Sequence, residues 1–238
     1  SIADRLDELP GLRPVLAAVA AVRDGKAVYL VGGTVRDILL DQPGFDVDLA
    51  TEDDGVRFAE ALARQIGGRV RLHDAFGTAV VEHGNGERLD VVTARRERYD
   101  APAALPVVEP GTIDDDLARR DFTINAMAAS LGADDFGRVV DPFHGQADLE
   151  ARTIRVLHDG SFVDDPTRIF RAVRYASRYG FDLDRHTEEL ARGAIDGELV
   201  ARLTPARLRD ELVLLLDERQ APQSIRQLGE LGADRAID

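Results

Sequence analysis

The sequence predicts an α+β fold, strands and helices first and helices alone afterwards. Three observations carry the prediction. Apolar runs of strand length recur between Ala27 and Thr93, punctuated by Gly-rich turns and capped helical stretches. From Phe162 onward the apolar spacing is almost purely helical. The 238 residues are 44% apolar, enough to bury one large core or two small ones.

The elements follow in order. Leu12–Val22 is Ala-rich and helical in pattern, with Gly25 as its stop. Ala27–Val31 is a strand, ended by Gly32-Gly33. A short helix begins near Thr34, and a strand follows in which Asp46 and Asp48 share a face while Phe45, Val47 and Leu49 enter the core. Asp53 or Asp54 caps a helix over Val56–Ile66, which Gly67-Gly68 ends. Arg69–His73, Thr78–Glu82 and Arg88–Thr93 are strands, the last two joined through Gly84-Asn85-Gly86. Glu97–Thr112 carries three prolines and little periodicity, and reads as a mobile loop. Asp114–Met127 is helical over much of its length, which places Arg119, Arg120, Asp121 and Asn125 in one helix. A turn at Pro142–Gly145 precedes the change of pattern, and the domain boundary is placed near Arg152. The domains are then 1–152 and 153–238. Asp165 caps and Pro166 starts the next helix, and two or three further helices run over about Asp184–Ala194, Thr204–Asp217 and Pro222–Gly229.

Composition limits the function classes. Zero cysteines exclude disulfides, thiolate catalysis and Cys-ligated zinc, and are compatible with a cytosolic chain. No apolar run reaches membrane-spanning length, and Ser1–Pro10 is acidic and amphipathic rather than a signal peptide. The chain begins at Ser1 and its single methionine is Met127, as expected of an excised fragment. A net charge of −14 argues against a nucleic-acid partner on the sum alone, but the distribution matters more. Lys26 is the only lysine, so the positive charge is nearly all Arg, which suits bidentate phosphate and base-edge contacts.

The chemistry concentrates between Val28 and Asp48. Residues i and i+2 of a strand lie roughly 7 Å apart at Cα, so Asp46 and Asp48 repel each other and a hard cation relieves the repulsion. Two Mg²⁺ ions about 3.5–4 Å apart form the clamp of many phosphoryl-transfer sites. Asp90, between Leu89 and Val91, is a candidate third carboxylate across the sheet. Gly32 and Gly33 let backbone approach a ligand closely, and the helix after them offers free N–H groups to an anion. Phosphate binder plus metal carboxylates reads as nucleotidyl transfer, against the bland alternative of a tight turn before a solvated acidic hairpin. Arg119, Arg120, Asp121 and Asn125 can address a triphosphate and a ribose, or form an exposed mixed-charge helix face. Arg168, Arg171, Arg174 and Arg178 line one side of a helix whose other side carries Ile169, Ala172, Val173 and Ala176. That side is either solvated or meets nucleotide or RNA. No P-loop, Gly-x-Gly-x-x-Gly or His-Glu-x-x-His occurs, and the pairs His73-Asp74 and His158-Asp159 are incidental.

The ordered set of motifs resembles a known family. Gly32-Gly33-Thr34-Val35-Arg36-Asp37, Asp46-Val47-Asp48, Arg119–Ala126, Asp141–Gly145 with Asp148-Leu149, Asp164-Asp165-Pro166-Thr167-Arg168 and Arg171–Tyr175 are similar to the bacterial-type tRNA nucleotidyltransferase and poly(A) polymerase family of the DNA polymerase beta superfamily. The resemblance covers roughly Val28 to Phe181. It implies a nucleotidyltransferase head with a small mixed sheet, an all-α neck, two Mg²⁺ ions, CTP and ATP as substrates, and the tRNA 3′ end as acceptor. Asp46 and Asp48 match the metal pair. Gly32, Gly33 and Arg36 match the triphosphate turn. Arg119, Arg120, Asp121 and Asn125 match the sugar- and phosphate-contacting segment, and Asp165 and Arg168 match the pair that reads the incoming base. Asp164 stands where the family usually has Glu. The body and tail domains that grip tRNA are expected to be absent. Within the family, poly(A), CC-only and A-only addition remain open, and a non-catalytic RNA- or nucleotide-binding module is the alternative of another class.

Overall fold

The structure is a computed structural model that describes residues 1–9, 11–42, 46–73, 77–83 and 88–236. Phe45, Asp74 and the Gly84-Asn85-Gly86 turn lie outside the described residues. The backbone forms two compact units: residues 1–97, 108–120 and 124–145, and residues 98–107, 121–123 and 146–238. Arg152 lies within the second unit, in the turn before its first strand.

The first unit is built on a seven-stranded sheet. Its strands are β1 (Val28–Val31), β2 (Val47–Thr51), β3 (Arg69–His73), β4 (Thr78–Glu82), β5 (Arg88–Thr93), β8 (Ala128–Ser130) and β9 (Val139–Val140), in the order β3-β4-β5-β2-β1-β8-β9. β2 and β5 run parallel and the other neighbours antiparallel, so the sheet is mixed. All four residues of β1 are buried, the pattern of a strand covered on both faces. On one face, α5 (Ile113–Ala118) sets Ile113 and Leu117 against Tyr29, Val31, Ala50 and Ala128. Helix α4 (Gly55–Ile66) packs along β3, β4 and β5, and α2 (Arg13–Val22) packs on α4. Asp54 caps α4 by accepting from the Arg57 N–H at 3.0 Å, and Gly67 ends it at φ 69°. Helix α3 (Gly33–Leu39) follows β1, and α1 (Ile2–Glu8) packs on α3.

Two sequence expectations change. The segment read as a loop forms a two-stranded ribbon of β6 (Arg95–Arg98) and β7 (Val107–Pro110). Its prolines sit before β7 and at β7's last residue, positions a two-stranded edge tolerates. The segment read as one helix through Asn125 is broken: α5 stops at Ala118, and Thr123–Asn125 makes one 3₁₀ turn. Short polar and β-branched side chains hold a helix poorly, and Phe122 instead bridges to Val156 as a buried residue of the second unit.

The second unit is helical apart from the short parallel pair β10 (Thr153–Ile154) and β11 (Asp182–Leu183). Its helices are α6 (Gly145–Glu150), α7 (Ser161–Asp164), α8 (Thr167–Tyr179), α9 (Arg185–Asp196), α10 (Pro205–Leu216) and α11 (Ala221–Leu231). Helix α8 is the hub, with α10 and α11 packed on it. No helix among the described residues is long and apolar enough to cross a membrane.

Candidate functional site

The site of the first unit grows from strand register. Asp48 on β2 and Asp90 on β5 are direct partners across the parallel pair, so their side chains leave the same face of the sheet. They line a cleft of about 340 Å³ together with Arg88, Arg119 and Arg120. Asp46 precedes β2, is exposed, and adds to the negative field on Asp48. Burial, then Asp90 and Asp46, push the Asp48 carboxyl up to about 6, against the opposing pull of Arg120 and Arg36. Asp90 Oδ1 is buried with no hydrogen-bond partner among the described residues. A buried carboxylate oxygen without a donor is costly, and a hard cation satisfies it. No three Asp, Glu or His among the described residues gather tightly enough to cage an ion alone. An ion held here completes its shell with water and ligand oxygens, as Mg²⁺ commonly does.

The turn beside the cleft requires glycine. Gly32 has φ 62° and ψ −124°, and a Cβ there would lie 2.1 Å from Arg120 Nη1. Gly33 is less constrained, since its φ is not positive and its Cβ would come no nearer than 3.2 Å to Arg36. Arg36 is buried: it donates to both oxygens of Asp37, at 2.8 and 3.0 Å, and to Asn125 Oδ1. It therefore braces the turn from within. With seven residues, α3 is too short for its dipole to add much, and the cationic character of the cleft rests on its arginines.

Sequence reasoning missed three supports. Thr34 is buried at the start of α3, and its hydroxyl joins the Asp46 carbonyl to the Asp48 N–H. Asp116, fully buried on α5, accepts from Arg119 at 2.7 and 3.0 Å and from Arg120 at 2.8 Å. Glu97 accepts from Arg95 at 2.9 Å and Arg119 at 3.4 Å. The i, i+3 and i, i+4 spacing of Asp116 to the arginines was a visible signal.

The second unit holds the remaining candidates. Asp121 accepts from Arg171, at 2.6 Å to Nη2 and 2.8 Å to Nε. Asp165 uses one oxygen, Oδ1, for the Thr167 N–H at 3.0 Å, the Thr167 hydroxyl at 2.6 Å and Arg207 at 2.8 Å. The expected cap and start are both displaced by one residue: Pro166 is the N-cap of α8, and Asp165 lies just outside it while accepting from the first helical N–H. Arg168 is buried and donates to Ser161 Oγ at 2.7 Å. The basic side of α8 is not a free solvated stripe: Glu211 of α10 and Glu218, just past the C-terminal end of α10, cover it. Arg174 is buried, lies 3.9 Å from Glu211 and 3.7 Å from Glu218, and stacks 4.9 Å from the Tyr175 ring centre. Arg178 also pairs with Glu218 and Arg171 reaches Glu211 at 4.0 Å, so solvent exposure is greatest at the Arg178 end.

Fold and cleft define an α+β domain that sets an acidic pair against an arginine pair, an arrangement that can hold a cation and a polyphosphate together. The poly A polymerase head domain matches residues 28–155, more than half of the sequence, and the chain belongs to that family. It is 47% identical to the A-adding tRNA nucleotidyltransferase of Geobacter sulfurreducens, over 88% of this chain and 24% of that protein. It is 42% identical to the CC-adding tRNA nucleotidyltransferase of Deinococcus radiodurans, over 86% of this chain and 54% of that one. A solved apo structure of a CCA-adding enzyme superposes with a TM-score of 0.94 at 40% identity, over 99% of this chain and 56% of that chain. The chain thus spans between a quarter and a little over half of these relatives. The resemblance read from the motifs is borne out.

Proposed function

We propose that this chain is the catalytic head and neck of an enzyme that adds C, A or both to the 3′ end of tRNA. The nucleotide comes from CTP or ATP and pyrophosphate is released. The observation that carries the reading is the facing of Asp48 and Asp90 in one cleft with Arg119 and Arg120. The names of the relatives support the reaction class and the substrates.

Asp48, Asp90 and the exposed Asp46 would hold Mg²⁺, and the orphaned Asp90 oxygen favours that fit. The ion supplies Lewis-acid stabilisation of phosphoryl charge. Arg119 and Arg120 bind the triphosphate, where bidentate forks suit phosphate oxygens. The RNA 3′ hydroxyl attacks the α-phosphorus in line; its new P–O bond forms as the bond to the β-bridging oxygen breaks. The hydroxyl proton passes to a cleft carboxylate, Asp46, Asp48 or Asp90. Asp165 reads the base through Oδ2, which its contacts to Thr167 and Arg207 leave over, and accepts from the amino group that C and A share. Arg168 donates beside it. Guanine and uracil would leave that carboxylate oxygen unpaired. With tRNA as substrate, the cytoplasm is the compartment we propose for this reaction.

The test is sequencing the 3′ ends of tRNA transcripts that end before CCA, after C and after CC, incubated with the protein, Mg²⁺, CTP and ATP. CCA on all three, CC alone, A alone or long A tails each support the reading and fix the product. Nucleotide binding with no extension by this chain or by a longer one carrying further C-terminal sequence favours the non-catalytic module.

A further inference from the structure

Asp116 stands out among the buried charges. Helix α5 opens with three consecutive aspartates, Asp114, Asp115 and Asp116. Asp115 completes a capping box with Thr112, and Asp114 is exposed in the first turn. Asp116 has neither role. It is 0% exposed and sits behind the cleft rather than in its lining. Both its oxygens are used: Oδ1 takes two N–H groups of Arg119, and Oδ2 takes one of Arg120. Burial pushes its carboxyl up, but Arg120 and Arg119 override that and hold it below the ordinary range, so it stays ionised.

The contacts bind each guanidinium at a defined edge. Arg119 commits Nε and Nη2 to Asp116 and turns Nη1 toward Glu97. Arg120 commits Nη2 to Asp116 and directs Nη1 over Gly32, where a Cβ would collide with it. Arg120 Nε is buried with no hydrogen-bond partner among the described residues. A buried donor in that state calls for an acceptor that the described residues do not supply.

We propose that Asp116 is a positioning residue: a buried anion that fixes the Arg119 and Arg120 forks in the orientation that receives the triphosphate. The inference rests on the reading of those arginines as phosphate contacts. It opposes simple electrostatics. A carboxylate this close to a phosphate site repels the ligand, so it is worth keeping only if the order it imposes outweighs that repulsion.

The opposition in sign makes the test sharp. Binding of inorganic triphosphate is measured by calorimetry on the whole chain, with folding followed by circular dichroism and melting temperature. Asp116→Asn keeps the shape and removes the charge. Positioning predicts binding weakened by about tenfold or more. Tighter or unchanged binding overturns the proposal, since Asp116 would then be a counter-ion or a packing element. Asp116→Glu keeps the charge but moves the carboxylate by one methylene; it carries the test if the Asn variant does not fold. Positioning again predicts a loss of about tenfold, and unchanged binding overturns the proposal. Arg120→Gln and Arg119→Gln form the separate arm. If they bind triphosphate as well as the parent chain, the phosphate-contact reading has failed. If they weaken while both Asp116 variants do not, only the positioning role has failed.

Discussion

The Thr34 hydroxyl accepts from the Asp48 N–H at 2.9 Å and donates to the Asp46 carbonyl at 2.8 Å. One buried side chain on α3 therefore sets the backbone on both sides of Val47 and aims the first strand carboxylate. Thr34→Val keeps the volume and leaves two polar backbone groups short of a partner. The expected cost is about 1–3 kcal/mol, with weaker Mg²⁺ binding than the parent. Urea melts and Mg²⁺ titration check it; an unchanged midpoint and unchanged affinity would remove Thr34 from the site.

Asp48 should make stability depend on pH in an unusual direction. Its folded-state carboxyl is raised to about 6 from an ordinary value of 3.8. Between these values the folded chain binds the proton more tightly than the unfolded chain does. This group's contribution is therefore most favourable at low pH and is lost as pH rises to about 6. Above 6 the ionised carboxylate costs up to about 3 kcal/mol. Asp48→Asn is expected to raise the melting temperature at pH 8 without added metal and to abolish nucleotide addition. Mg²⁺ binding to the parent should strengthen as pH climbs through 6. Equal melting temperatures for the two chains at pH 8 would contradict the burial cost.

At Gly32 conformation and space act together. A side chain would be strained at φ 62° and would sit 2.1 Å from Arg120 Nη1. Gly32→Ala is expected to lose about 1–3 kcal/mol and at least about tenfold in nucleotide addition as Arg120 is displaced. Gly33→Ala is the control, because Gly33 has no positive φ and its Cβ would come no nearer than 3.2 Å to Arg36. Similar losses in both variants would argue against the special role of Gly32.

The Asp121–Arg171 pair ties the centre of the sequence to α8. Asp121 is nearly buried, its side chain 6% exposed, whereas Arg171 is 36% exposed, so solvent screens the pair in part. The Asp121 carboxylate beside it pushes the Arg171 guanidinium up. Arg171→Met leaves a buried carboxylate facing an apolar side chain, at a cost of about 2 kcal/mol. The double variant with Asp121→Asn should recover part of that loss. A double-mutant cycle with no coupling would show the pair to be energetically silent.

The sheet was largely legible because its strands carry strong local patterns. β3, β4 and β5 fall on the expected bounds, and α4 starts at its capping aspartate. The pairing of Asp48 with Asp90 was visible only as a suggestion, because parallel register depends on partners far apart in sequence. What escaped detection was non-local in the same sense. The β6–β7 ribbon has two strands of four residues, too short for a pattern to emerge over its prolines. The break after Ala118 is dictated by Phe122, whose place in another core no local propensity records. The arginines of α8 looked like a solvated face because the acids that cover them, Glu211 on α10 and Glu218 just beyond it, lie far along the sequence.

The parallel pairing of β2 with β5 also orders events during folding. α4, β3 and β4 lie between these strands in the sequence, and the whole crossover must close before Asp48 and Asp90 meet. A nascent chain that has emerged only as far as β4 carries Asp46 and Asp48 but not Asp90. A cation held by both Asp48 and Asp90 therefore has no complete site until β5 has paired with β2.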